Sequence, residues 1–152
     1  MTLELRELSQ AECYEFLEHE RYGHLACCND GRPYVASVYY AFAGYVAYSF
    51  TMPGRKLDTM RANGNVCLHV ERRHPSGGWT TVVVEGEFEE FPDNETWRSE
   101  RIHAWELLQR HSDWWETGSL KPEELPVLTA PPHVFYGILV KTVSGRSALP
   151  RD

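Results

Sequence analysis

No stretch of the 152-residue chain is apolar for long enough to span a bilayer. Its first eight residues, Met-Thr-Leu-Glu-Leu-Arg-Glu-Leu, lack the basic start and apolar run of a secretory leader. A cytoplasmic protein with no membrane partner is the expectation. A basic surplus is also missing: 15 Lys and Arg stand against 22 Asp and Glu, for a formal net charge of −7. Nucleic-acid binders carry an excess of positive charge on one face, so no nucleic-acid partner is expected. In so acidic a chain an anionic ligand has to be held by a local cluster of cations, for which Arg32, Arg55, Lys56 and Arg61 are the candidates.

The four cysteines, Cys13, Cys27, Cys28 and Cys67, form no CxxC pair and no regular framework. Cys27 and Cys28 are adjacent, so on a strand they point to opposite faces and make poor partners for one metal. Reduced thiols fit best. His103 and His111 are eight apart, which is not the i, i+4 spacing of a zinc helix, and His24 and His69 read as ordinary strand histidines; no metal site is expected. A GxGxxG turn, a Ser-His-Asp order, a nucleophile elbow and a paired-carboxylate signature are all lacking, which argues against a dinucleotide-binding Rossmann sheet and against hydrolases. No catalytic side chain can be named on these grounds.

What is present suits a single domain over residues 1–152: 42% hydrophobic, 24% charged and 12% aromatic residues, the last suited to a β-rich core or a site for flat ligands. Ser9-Gln10-Ala11-Glu12 has the form of a capping box, and Cys13, Phe16 and Leu17 follow at helical spacing, predicting a helix from Gln10 to about Glu20. Strands are predicted over Tyr22–Cys28, Tyr34–Phe42, Tyr45–Thr51, Val66–Glu71 and Trp79–Phe91. Asn29-Asp30-Gly31 and Ala43-Gly44 supply the hairpin turns. Leu57 and Met60 predict a short helix ending at Asn63-Gly64. Asp93-Asn94-Glu95-Thr96 caps another that carries Trp97, Ile102, Trp105 and Leu108 to about His111. Residues Ser112 to Pro132 read as loop, with Trp114-Trp115 as a candidate pocket wall, and Val134–Val143 as a last strand before a polar tail. Short hairpins without βαβ alternation predict a mainly β protein, an antiparallel barrel with flanking helices.

One segment stands out. Tyr48-Ser49-Phe50-Thr51-Met52-Pro53-Gly54-Arg55-Lys56-Leu57 joins hydroxyls at a strand end to a Pro-Gly turn and an Arg-Lys pair. Freed backbone N–H groups, a guanidinium fork and an ammonium together suit a phosphate. Taken in order with Gly23-His24-Leu25-Ala26, Asp30-Gly31-Arg32-Pro33-Tyr34-Val35 and Val82-Val83-Val84-Glu85-Gly86, it resembles the FMN-binding split-barrel family related to pyridoxamine 5′-phosphate oxidase. The nearest likeness is to the nitroimidazole-resistance-like, flavin-nucleotide-binding branch, and it runs from about Leu8 to Phe91.

That resemblance implies an antiparallel FMN-binding split β-barrel, with FMN at the interface of a homodimer. It assigns the phosphate to Arg55 and Lys56, supplemented by Ser49 and Thr51, and a ring contact to Thr81. The strand at Ala36 to Tyr39 would run beside the ring, so Val38 and Tyr39 are further candidates. The activity implied is flavin-dependent oxidoreduction of a small oxidised molecule; the alternatives are a non-catalytic FMN carrier and, ranked lower, haem or deazaflavin binding. Two departures matter. Gly54 stands where the true oxidases usually carry a hydroxyl, so a backbone N–H is expected to replace it. The C-terminal Arg-x-His segment that reads the pyridoxal substrate in those oxidases has no counterpart in Val143-Ser144-Gly145-Arg146-Ser147-Ala148-Leu149-Pro150, so pyridoxamine 5′-phosphate oxidase activity is not expected.

Overall fold

The computed structural model describes residues 2–110 and 133–151. The order of elements is β1 (Leu3–Glu7), α1 (Gln10–His19), β2 (Tyr22–Asn29), β3 (Arg32–Tyr39), β4 (Ala41–Ala43), β5 (Val46–Thr51), α2 (Arg55–Ala62), β6 (Asn65–Arg73), β7 (Trp79–Phe91), α3 (Arg98–Gln109) and β8 (Val134–Pro150). A single 3₁₀ turn at Glu95–Trp97 leads into α3. Helix α1 begins as its capping box requires: the Glu12 N–H donates to Ser9 Oγ at 3.2 Å, and the Ser9 N–H donates back to Glu12 Oε1 at 2.9 Å. Hydrogen bonds from Arg6 and then from the Ser9 backbone hold the Glu12 carboxyl down at about 2.

All ladders are antiparallel, in the order β3-β2-β6-β7-β8-β5-β4, with β1 added along β8. Alternation along the strands splits the sheet into two faces. Leu25, Leu68, Val70, Val82, Val84, Tyr136 and Ile138 point inward to a core that Cys13 and Leu17 of α1 complete. A second apolar cluster lies under α3, where Ala104, Trp105, Leu107 and Leu108 pack on Phe91 and Phe135. Arg101 of α3 is buried with them; its Nη1 donates to the Phe91 carbonyl at 3.0 Å and its guanidinium lies over the Phe135 ring.

Three features depart from the sequence reading. The strand expected over Tyr34–Phe42 breaks at Tyr40, whose ring is buried, whose N–H donates to the Arg21 carbonyl and whose hydroxyl donates to that of Leu17 at 2.9 Å. Satisfying that side chain inside the core turns the chain, and the strand changes partner from β2 to β5. The polar tail is the second half of β8, paired with β7 on one side and β1 on the other. Its small residues Ser147 and Ala148 are buried by close strand approach, which a reading by hydrophobic runs does not register. β1, exposed along its length and, among the described residues, paired along one edge with β8, is too short at five residues to be read from its pattern. Trp114-Trp115 lies outside the described residues.

The long β7–β8 ladder shifts register once, where Glu85 faces Thr142 and Gly86 faces Val140, so that Lys141 is the extra residue of a bulge. A Cβ at Gly86 would lie 2.5 Å from the Leu139 carbonyl oxygen and 2.8 Å from Ile138 Cγ2. Gly86→Ala is therefore expected to destabilise the fold by about 1–3 kcal/mol through overpacking. Chemical denaturation of the two proteins measures it, and equal midpoints would mean that the ladder relaxes freely at this point.

Candidate anion-binding site

Strand β5 ends at Thr51, and Met52-Pro53-Gly54 turns the chain directly into α2. The helix forms because Leu57 and Met60, three apart, both bury against the barrel, each 1% exposed. Its N-cap is Gly54, which is extended (φ 166°, ψ −169°) and offers no capping side chain. The N–H groups of the first helical turn have no intrahelical acceptor and carry the positive end of the helix dipole. A Cβ built on Gly54 meets nothing within 4 Å among the described residues, so the side-chain position before the helix is open. The one local opposing charge in that turn is the exposed Asp58.

Arg55 and Lys56 occupy the first two helical positions. Among the described residues neither forms an ion pair with a carboxylate. Arg55 is exposed, and its guanidinium carbon lies 4.7 Å from the centre of the Tyr34 ring. Lys56 is half-buried, and desolvation lowers its pKa from the ordinary 10.5, against a weaker raising influence from Cys27. Cys27, buried on β2, has its thiol pushed up by burial against the opposing pull of Lys56 and, more weakly, of Arg55. The two other cations expected at this corner behave differently. Arg61 is held by Glu90 in a two-pronged pair at 2.7 and 2.9 Å, and Arg32 stands exposed at the start of β3.

The structure thus brings Arg55 and Lys56 together at a helix N-terminus. Ser49 and Thr51 lie just upstream but point inward, 4% and 8% exposed. Their hydroxyls donate to main-chain carbonyls, Ser49 to Tyr39 at 2.6 Å and Thr51 to Met52 at 3.1 Å. Ser49 therefore ties the end of β3 to β5. Val38 is buried and Tyr39 half-buried on β3, which is the end strand of its sheet. Among the described residues no further strand pairs along its outer edge, and the Tyr39 carbonyl accepts from the Ser49 hydroxyl.

Thr81 is not at this corner. It lies on the outward face of β7 between Glu71 and Arg146, about 13 Å along the strand from Glu85. That face also carries Val35 (60% exposed), Tyr22 and Val83, together with the facing pair His24 and His69. A groove of about 490 Å³ opens on it, lined by Ala26, Cys28, Asn65, Cys67, Glu85 and Thr142. No group of three or more metal-ligating side chains occurs among the described residues.

Sequence reasoning missed Tyr34 and Cys27 as parts of the corner. The signal was available: Asp30 and Gly31 take positive φ as the two-residue loop, and this fixes Cys27 opposite Tyr34 on the inward face.

Strand order, helix placement and the Arg-Lys turn define an antiparallel split β-barrel. The chain belongs to the pyridoxamine 5′-phosphate oxidase family, whose profile matches residues 9–147. It is 38% identical over 144 residues, 95% of each chain, to an uncharacterised protein of Rhizobium meliloti (strain 1021). A crystal structure of a FAD-binding protein from Mesorhizobium loti is 42% identical, with a TM-score of 0.79 over 97% of this chain and 99% of that one. A candidate 5-nitroimidazole antibiotic resistance protein from Bacteroides thetaiotaomicron shares the fold, at 16% identity and a TM-score of 0.74 over 97% of this chain and 90% of that one.

The desolvated cation at Lys56 opposes folding. Because its folded-state pKa lies below 10.5, the charged amine is disfavoured in the folded protein. That penalty is complete below the folded value, where both states are protonated, and it fades as pH rises through the folded value toward 10.5. Lys56→Met is expected to stabilise the ligand-free protein at pH 7 by about 0.5–2 kcal/mol. The gain should shrink as pH rises toward 10; a loss of stability in urea titrations at pH 7 would show that the amine is better satisfied than its burial implies.

Proposed function

We propose that the protein binds a flavin nucleotide by its phosphate at the N-terminus of α2. The reading rests on one observation above all: two cations that have no carboxylate partner among the described residues, beside N–H groups with no capping side chain, in a chain of net charge −7. Arg55 offers a planar fork to two phosphate oxygens, Lys56 a point charge, and the first-turn N–H groups fixed donors. The absence of a Cβ at residue 54 leaves the main chain approachable, in place of the hydroxyl usual in the true oxidases. The outer edge of β3 offers main-chain groups to a flat ring, and the Ser49–Tyr39 hydrogen bond fixes the position of that edge.

FMN is the first choice of cofactor, since one phosphate saturates the corner. FAD is the second, favoured by the Mesorhizobium loti protein, and its pyrophosphate would use the same donors. A bound flavin supplies the electron transfer, so the chain needs no catalytic side chain of its own beyond those that bind, orient and exclude water. The activity proposed is oxidoreduction of a small oxidised molecule, with an FMN carrier as the alternative. Turnover of pyridoxamine 5′-phosphate is not proposed, because Val143 to Pro150 carry no counterpart of the Arg-x-His segment of the true oxidases.

Flavin bands in the purified or reconstituted protein test the binding, and their bleaching by NADH or NADPH separates enzyme from carrier. Arg55→Ala is expected to weaken FMN binding by about 1.5–3 kcal/mol, the worth of a hydrogen bond to a charged group. Fluorescence titration measures this, and unchanged affinity would remove the turn from the site.

We further propose a homodimer, with the cofactor at its interface. Val35, Tyr22 and Val83 expose apolar surface on one sheet face, and Thr81 on that face would meet a flavin held by the partner. Sedimentation should give the mass of two chains, and Val35→Asp should lower it toward one; a wild-type monomer at micromolar concentration would leave Thr81 without a role.

A further inference from the structure

We infer that Tyr34 is a positioning residue: its ring holds the Arg55 guanidinium in the orientation that grips phosphate. This rests on the reading of the corner as a phosphate site and adds a residue to it. The argument begins with Arg55 itself, an exposed, long side chain at the first position of α2 with no carboxylate partner among the described residues. Left to solvent, such a side chain samples many rotamers, and binding has to fix them at a cost in entropy.

Among the described residues, the contact that fixes it is with the Tyr34 ring, 4.7 Å from its guanidinium carbon. An aromatic face attracts a guanidinium through its quadrupole while leaving the in-plane N–H donors free to bind an anion. A carboxylate in the same place would occupy those donors, as Glu90 does for Arg61. The seat is rigid, because the two-residue turn at Asp30-Gly31 fixes Tyr34 opposite Cys27, and Cys27 is buried against the barrel. Tyr34 also packs against the main core cluster. β3 thus contributes a side chain to the corner as well as a main-chain edge beside it.

The test compares Tyr34→Phe and Tyr34→Leu by fluorescence titration with FMN and with riboflavin, which lacks the phosphate. Phe keeps the aromatic face and is expected to bind FMN as the wild type does. Leu is expected to weaken FMN binding roughly 3- to 30-fold, the range set by cation–π attraction, while leaving riboflavin binding unchanged. Retained riboflavin binding also shows that the Leu variant folds. If Tyr34 acts through Arg55, the Tyr34→Leu/Arg55→Ala double variant should bind FMN no more weakly than Arg55→Ala alone.

Equal FMN affinity in wild type and Tyr34→Leu overturns the assignment and leaves the phosphate reading intact. Equal losses for FMN and riboflavin in Tyr34→Leu, or a loss in Tyr34→Phe as well, also overturn it, since the effect would then not act through the phosphate or not come from the ring face. A wild type that binds FMN no better than riboflavin overturns the phosphate reading, and this inference with it.

Discussion

The fold depends on the pairing of β8. This strand carries hydrogen-bonded ladders to β5 and β7 along its first half and to β7 and β1 along its second. It is the element through which the N-terminal strand, the long β7 and the β4–β5 hairpin belong to one sheet. Every backbone group that pairs in the barrel wall escapes the penalty of an unpaired buried donor or acceptor. The position of β5 follows from this pairing, since Val46 to Thr51 run against Leu139 to Val134 residue by residue. The Pro-Gly turn and the N-terminus of α2 are thereby placed where β5 ends. The cation corner is thus positioned by main-chain pairing on one side and by burial of Leu57 and Met60 on the other.

Much of this architecture was legible in the sequence, for reasons that can be located. Helix α1 was written by its capping box, and the β2–β3 hairpin by Asn29-Asp30-Gly31, since few other residues tolerate the positive φ required. β7 declared itself by its β-branched residues Thr80 to Val84 and by the Glu-Gly-Glu-Phe alternation that follows, and its burial alternates from Trp79 to Glu87. The second half of β8 did not, because Ser144 and Gly145 are set in place by pairing with β7, and Arg146 and Ser147 by pairing with both β7 and β1, not by apolar side chains. The break at Tyr40 was equally invisible, for it depends on carbonyls of Leu17 and Arg21 that only the folded chain brings near.

The candidate site divides in the same way. Arg55 and Lys56 could be read from the turn, because a Pro-Gly pair followed by two cations has local meaning. Arg61 could not be told from them, since its engagement by Glu90 spans 29 residues of sequence. Ser49 and Thr51 were rightly placed at the strand end, but which way a strand-end hydroxyl faces depends on register. Here the register turns both inward to carbonyls. Thr81 shares a face with exposed apolar residues, and only an assembled dimer could relate it to the corner.

On the proposed reading, the balance of charge explains how two cations could suffice in so acidic a molecule. Interactions between exposed charges decay over about 8 Å at physiological ionic strength, so carboxylates elsewhere on the surface weigh little at the corner. In the first turn of α2, Arg55, Lys56 and the positive end of the helix stand against Asp58, and further along the helix Arg61 is paired with Glu90. The partial burial of Lys56 sharpens the contrast, since a cation already stripped of part of its hydration surrenders less water to an incoming anion. On the proposed reading, the same desolvation that makes the Lys56 cation a liability to folding would favour a ligand carrying concentrated negative charge. A neutral ligand would leave the amine unsatisfied, and an anion that reaches both side chains and the first-turn N–H groups relieves all three at once.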